Sequence, residues 1–382
     1  MSEQYQILVS GYRDTYTILS FEPSTSKVKI VSDSKAPEKA SWIEPASKQH
    51  DPLKSNRVLY SISEVEKGKA VSLNLKNDKI EITSEKDTHG APAHIHVMKD
   101  GSGLAVVNYM GGSMIFFPFN EDGTLSDHPS ELLKFEYLYK DGNAPNPERQ
   151  DTPHAHQVIE GENNTLYVCD LGNDRIWVIE KKGLNTLSIK GWLQAPPGTG
   201  PRHATFSKDG KHLYVLTELT SDVLVFSLES PTYPIIPKPD FKVSIIPSSV
   251  PKEAHSFMNA AELILNPCFG NILYASNRLE MSLDEKSKGK FKTLKDVKGD
   301  SIAIIELTEN GDDVKGSTAE FFQTDLNNLR GMTISNDGKY LVTAGRKSGG
   351  LEIFSTGKNG KELKLAGKIE QGVDNITDLT FL

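Results

Sequence analysis

The sequence predicts an all-β chain folded as a seven-bladed β-propeller, closed by N- and C-terminal strands that share one blade. Two observations carry this: a unit of short apolar strands and turns recurs along the 382 residues, and the termini are complementary fragments of that unit. The unit reads as a polar or His/Arg start, an apolar strand, an Asp/Asn-Gly turn, a second apolar strand, a tight polar turn and a third strand. Its clearest copy is RHATFSKDGKHLYVLTELTSDVLVFSL, from Arg202 to Leu228. Others run from His94 to Phe119, His156 to Glu180 and Arg330 to Phe354. A fifth, Ala261 to Arg278, resumes at Asp300 to Leu307, and a weaker sixth spans Ser41 to Leu75. Alternating β-branched and aromatic residues between Asn, Asp and Gly mark strands and hairpins, and helical periodicity is almost absent. The second strands begin near Leu59, Leu104, Leu166, Leu213, Leu273 and Leu341. That spacing, roughly 45 to 70 residues, suits a four-stranded blade with variable loops. The N-terminal YQILVSGYRDTYTILSFEP has later strands but no first strand; the C-terminal NITDLTFL, Asn375 to Leu382, is a first strand with nothing after it. Joining them completes the seventh blade and removes the open edge of a linear array. A β-sandwich or a solenoid leaves the complementary ends unexplained.

Residues 1–382 read as one domain. Three stretches break the period: Lys140 to Pro153, Pro231 to Phe257 with five prolines between Pro231 and Pro247, and the lysine-rich Glu280 to Gly299. The first two are expected as extended surface excursions and the third as a mobile surface loop. With 43 basic against 51 acidic residues and a net charge of −8, the chain lacks the clustered positive charge that nucleic acid or an anionic membrane demands. No basic segment leads into an apolar run at the start, and no apolar stretch approaches ~18 residues, so a cytoplasmic protein without a membrane span is expected. Cys169 and Cys268 sit in apolar strand-like runs, which suits buried reduced thiols better than a disulfide framework or a zinc site.

In an antiparallel pair the start of the first strand and the end of the second share one sheet edge. The first strands begin with His94 and His96, His154 and His156, Arg202 and His203, Glu262, and Arg330; the second end with Glu64, Asn108, Asp170, Glu218, Arg278 and Arg346. All are expected at one mouth of a propeller channel, a convergent polar site. Arg202 follows GTGP, whose glycines and proline fix the backbone, so its guanidinium suits bidentate recognition of carboxylate or phosphate. Arg278 ends an apolar strand and reads the same way. Glu218 reads as an inner-rim carboxylate, with a salt bridge to Arg202 or Arg278 as the alternative. Asp170, Glu64 and Asn108 are equally read as turn formers. The HIH and HAH triplets put each pair of imidazoles on one strand face, but no cysteine or carboxylate stands at a matching short spacing, so no metal is expected. Histidine as general acid or base, or as donor to an anion, is preferred; which histidine of each pair faces the channel stays open.

NYMGGS, TPHAHQV, DLGNDRI, GTGPRHATFSKDG, AAEL, YASNR, DSIA and LRGMTISNDGKYL resemble the lactonase family of seven-bladed propellers over nearly the whole chain. That family includes propeller-type 6-phosphogluconolactonases and the fungal carboxy-cis,cis-muconate cyclase. The resemblance implies a catalytic set of His156, Arg202, Glu218 and Arg278. His154, His203, Arg330, Asn108 and Asp170 are expected around the substrate, and Arg330 in LRG matches the lactonase members. It further implies no cofactor and a small anionic partner bearing phosphate or carboxylate. Hydrolysis of an acidic or phosphorylated sugar lactone is the first expectation, cyclisation of a carboxymuconate the second, and a non-catalytic binding scaffold the third. The oligomeric state stays open, a homo-oligomer included.

Overall fold

A computed structural model describes residues 3–46, 57–229, 232–238, 242–292, 297–315 and 318–382. Its strands form seven four-stranded sheets, the blades of a β-propeller. One sheet takes its first strand, Ile376–Phe381, from the C-terminus and its other three, Tyr5–Gly11, Thr15–Glu22 and Lys27–Lys35, from the N-terminus. The termini thus share a blade as expected. The second to seventh sheets follow in chain order and begin with Ile43–Pro45, Pro92–Val97, Ala155–Glu160, Pro201–Phe206, Asn259–Leu265 and Leu329–Ile334. Among the described residues helix is confined to a 3-10 turn at Lys252–Phe257 and one α-turn at Leu283–Lys286, and no helix is long and apolar enough to cross a membrane.

Turn chemistry explains why the strands fold back where they do. In FSKDGK and ISNDGK the serine hydroxyl donates to the aspartate, Ser207 to Asp209 and Ser335 to Asp337, each at 2.6 Å. The same aspartates accept the Lys211 and Lys339 amides at 3.1 Å. Gly210 and Gly338 supply the positive φ that closes these turns.

The contacts gather the chain into two compact units, one of residues 1–7, 19–29 and 201–381 and the other of 8–18, 30–200 and 382. In the first, apolar clusters lie between successive sheets: Tyr214, Leu216, Val223 and Val225 pack on Leu263, Leu273, Ala303 and Ile305, and Tyr274 and Ile302 pack on Leu329, Leu341 and Phe354. Tyrosines on second strands latch neighbouring blades, Tyr214 donating to the Gly311 carbonyl at 2.6 Å and Tyr274 to Gly360 at 2.5 Å. The second unit repeats the device, with Tyr60 donating to Gly123 at 2.9 Å beside clusters centred on Leu59, Ile95 and Phe116.

Three expectations are corrected here. Cys169 is buried, but Cys268 is exposed, because NPCF forms the turn after Asn259–Leu265 instead of continuing the strand. The Lys140–Pro153 stretch runs over the surface as expected, and it is anchored there by Gln150, which is fully buried and donates to the Leu171 carbonyl and to Asp174. The described parts of Pro231–Phe257 and Glu280–Gly299 pack together, with Ile246, Val250, Ala254, Met258 and Leu283 forming a small apolar core flanked by Phe257 and Phe291. The third of these stretches is therefore a folded insert over its described part. Residues 231, 239–241 and 293–296 of these stretches, and 47–56 of the weaker repeat copy, lie outside the described residues.

His96 illustrates a buried charge used to tie blades. Its ring lies between Glu44 at 3.4 Å and Glu160 at 3.3 Å. Burial lowers its pKa, but the two carboxylates outweigh burial and raise it to about 9. The folded state thus binds the proton more tightly than the unfolded chain. This contribution, up to about 3 kcal/mol, is complete below the unfolded value near 6.5 and is lost as pH rises through 9. Urea unfolding of wild type and His96→Gln should therefore give a stability difference that shrinks between pH 6 and pH 10. A constant difference would rule the clasp out.

Candidate active site

The first strands of five sheets carry one extra residue against their partners. The unpaired residues are Ala93, His156, Arg202, the Ala261–Glu262 pair facing Ser276, and Arg330. A bulge twists the strand and re-aims the side chain at that point. Four recurrences of one irregularity therefore select His156, Arg202, Glu262 and Arg330, of which Glu262 had been placed at a strand start without a role.

In the first unit Arg202, Glu218, Glu262 and Arg278 form one network. Arg202 Nε lies 3.0 Å from Glu218 Oε2, and Arg278 Nη2 lies 3.1 Å from Glu218 Oε1, so one carboxylate bridges two guanidiniums. The bulged strand completes the arrangement with consecutive carbonyls: Ala260 accepts from Arg278 Nη2 at 2.6 Å and Ala261 accepts from Arg202 Nη1. Glu262 Oε1 lies 3.3 Å from Arg202 Nη1, and Oε2 lies 2.8 Å from His203 Nδ1. Arg202, Glu218 and Glu262 are 2, 5 and 4% exposed, so these charges persist only because each is partnered. The salt-bridge reading of Glu218 is thus realised with both arginines at once.

Burial would raise the Glu262 carboxyl, but His203 and Arg202 beside it hold it below its ordinary value. Burial pulls His203 below its ordinary value, against the pull of Glu262. A neutral His203 donating from Nδ1 to an ionised Glu262 agrees with both directions. Two arginines then face two carboxylates, and Arg202 Nη2 takes no partner among the described residues.

Nearby on the chain, Glu280 was not anticipated as a polar core residue. Its Oε1 accepts from the Ser301 amide and hydroxyl, and burial pushes its carboxyl up to about 7. Only the motif DSIA, which holds its partner Ser301, hinted at it.

In the second unit His154 stacks on Tyr109 with ring centroids 4.5 Å apart, and His156 meets the same ring edge-on at 5.7 Å. His154 Nε2 lies 2.8 Å from Asp151, whose carboxyl is held below its usual range by that bond, and Nδ1 lies 3.2 Å from the Tyr109 carbonyl. Both nitrogens of His154 are committed to protein oxygens, and of the HAH pair His156 is the one at the bulge. His94 packs on Trp42, and His96 is held between Glu44 and Glu160.

Asp170 and Asn108 are corrected from substrate contacts to turn formers. Asp170 Oδ1 accepts the amides of His154, Gly172 and Asn173, and Oδ2 accepts from Asn173 Nδ2 and Trp177 Nε1. Asn108 donates to the Thr88 carbonyl and to Ser113 Oγ, closing the NYMGGS turn. Gly172 lets this fit: a Cβ there would lie 1.8 Å from the Thr152 carbonyl oxygen. Asp174, in the same DLGND segment, binds the amides of Gly198 and Gly200 at 2.7 and 2.8 Å and so fixes the loop that runs directly into Pro201 and Arg202. Glu64 accepts from Tyr12 at 2.8 Å, and the Arg346 amide donates to Asn328. Arg330 is half-buried at its bulge.

Among the described residues no group of three or more His, Cys, Asp and Glu side chains is arranged to hold a metal ion. The 6-phosphogluconolactonase of Bacillus subtilis is 26% identical to this chain over 371 residues, covering 93% of each. That of Formosa agariphila is 26% identical over 311 residues and 78% of each chain. The solved structure of the Pseudomonas aeruginosa periplasmic gluconolactonase shares the fold, with a TM-score of 0.79 at 21% identity over 100% of this chain and 99% of that one. The profile described as "Lactonase, 7-bladed beta-propeller" matches residues 6–377, and with seven four-stranded blades beneath that match the chain belongs to the lactonase family of seven-bladed β-propellers.

Proposed function

We infer that this lactonase opens the ring ester of an acidic or phosphorylated sugar lactone, as the names of its 6-phosphogluconolactonase relatives suggest. The observation that carries the reading is the buried Glu218 bridge between Arg202 and Arg278, with Arg202 Nη2 taking no partner among the described residues. In this reading Nη2 donates to the lactone carbonyl oxygen as water adds to the carbon and negative charge develops there. The ring C–O bond then breaks, the ring oxygen takes a proton and leaves as a hydroxyl, and the product carries a new carboxylate. Arg278 and Arg330 are assigned to the substrate's phosphate or carboxylate. Glu218, with each oxygen taken by a guanidinium, is assigned the positioning of both arginines rather than proton transfer.

Chelator-treated protein assayed on 6-phosphogluconolactone, on the same lactone without phosphate and on 3-carboxy-cis,cis-muconate tests the assignment. The expected order is fastest turnover of the phosphorylated lactone and none of the muconate. Turnover of the muconate alone would replace hydrolysis by cyclisation, and turnover of none would favour a binding scaffold.

A further inference from the structure

We propose that Glu262 is a positioning residue that aims Arg202 and, by its charge, keeps the resting site from holding an anion too tightly. The proposal rests on the lactonase reading above. Three observations place Glu262 there. It occupies the bulge of its strand, as Arg202 does in the preceding sheet. It touches two candidate site residues at once, with one oxygen on Arg202 Nη1 and the other on His203 Nδ1. Its own backbone is pinned by the amide donating to Ser276 Oγ at 2.9 Å, so the carboxylate does not follow a moving guanidinium.

The geometry divides labour between the two carboxylates. Glu218 pairs with Arg202 as an ion pair beside Nε, while Glu262 accepts a hydrogen bond from Nη1 at 3.3 Å, so the Glu262 bond bears directly on the plane of the guanidinium and the direction of Nη2. Without Glu262 one side of that plane is held by the Ala261 carbonyl alone. The charge changes as well: two guanidiniums would then face a single carboxylate, and an anion would be attracted more strongly. A guanidinium aimed less well lowers kcat, while the surplus positive charge lowers the dissociation constant of an anion. Slower turnover with tighter binding is the signature of this role, and general loosening of the fold does not produce it.

The experiment is Glu262→Gln beside Glu262→Asp, with kcat and KM for 6-phosphogluconolactone and, separately, calorimetric binding of inorganic phosphate. Glu262→Gln is expected to lower kcat by about tenfold to a hundredfold and to bind phosphate several-fold more tightly than wild type. Glu262→Asp keeps the charge but shortens the reach, so kcat should fall while phosphate affinity stays at the wild-type value. Phosphate binding needs no turnover, so a wild type that binds phosphate but opens no lactone defeats the lactonase reading and still leaves the tether measurable. Unchanged kcat and phosphate affinity in Glu262→Gln overturn the proposal. Parallel loss of both in the two variants, with a lowered melting temperature, overturns it in favour of a structural role.

Discussion

Arg202→Ala is expected to cut kcat/KM for lactone opening by about three orders of magnitude while the chain stays folded. The size follows from what is removed: one preorganised donor to a developing oxyanion accounts for about 100- to 1,000-fold, and the electrostatic attraction for an anionic substrate adds to it. The folded state survives because the remaining charges keep partners, Glu218 with Arg278 and Glu262 with His203. A stability loss of about 3 to 5 kcal/mol is nonetheless expected from breaking a buried ion network on one side. Arg202→Lys should fall well short of rescue, since an ammonium cannot meet Glu218, Glu262 and the Ala261 carbonyl and still present a directed donor. Initial rates with a melting curve on the same samples check both halves. Activity near wild type in Arg202→Ala would remove this residue from the reaction.

An effect on stability as large as that of Arg202→Ala is expected at Asp170, which lies outside the arginine network. Its carboxylate is fully buried and receives five hydrogen bonds, three from backbone amides and two from Asn173 and Trp177 side chains. Burial raises its pKa and those donors oppose the rise. Asp170→Ala leaves all five donors without their acceptor in a fully buried site, at a cost of about 3 to 5 kcal/mol. Asp170→Asn keeps the shape but turns an NH2 group toward donors, so it should recover only part of the loss. Urea unfolding midpoints measure this directly. An alanine variant within about 0.5 kcal/mol of wild type would show that the turn is held by its backbone alone.

How legible each feature was depended on how locally it is encoded. The inner three strands of each blade announce themselves through runs such as HLYVLT and DVLVFS, short apolar stretches bounded by turn residues that are buried almost throughout. The outer strands do not: KVKIVSDSK is exposed at most positions, and Leu133–Lys134 spans two residues. Such strands are held by pairing to a neighbour, which leaves little trace in their own residues. The site divides the same way. Arg202, Glu218 and Arg278 were placed together by strand-end logic, and the structure joins them through one carboxylate. Glu262 was named as a strand start without a role, because its contacts depend on a bulge that shows only once pairing is known. Asp170 and Asp174 sit four residues apart in DLGND, and the sequence does not say which neighbouring segments their carboxylates will meet. The inserts read as loose because prolines and lysines dominate them, whereas the few apolar residues that fold them, Ile246, Val250 and Leu283, are scattered across both.

The most direct test of the central claim is the rate at which chelator-treated wild-type protein opens freshly generated 6-phosphogluconolactone, compared with spontaneous hydrolysis and with inorganic phosphate as competitor. The account predicts a saturable acceleration that phosphate inhibits competitively. A rate equal to the spontaneous one, with or without phosphate, would contradict it.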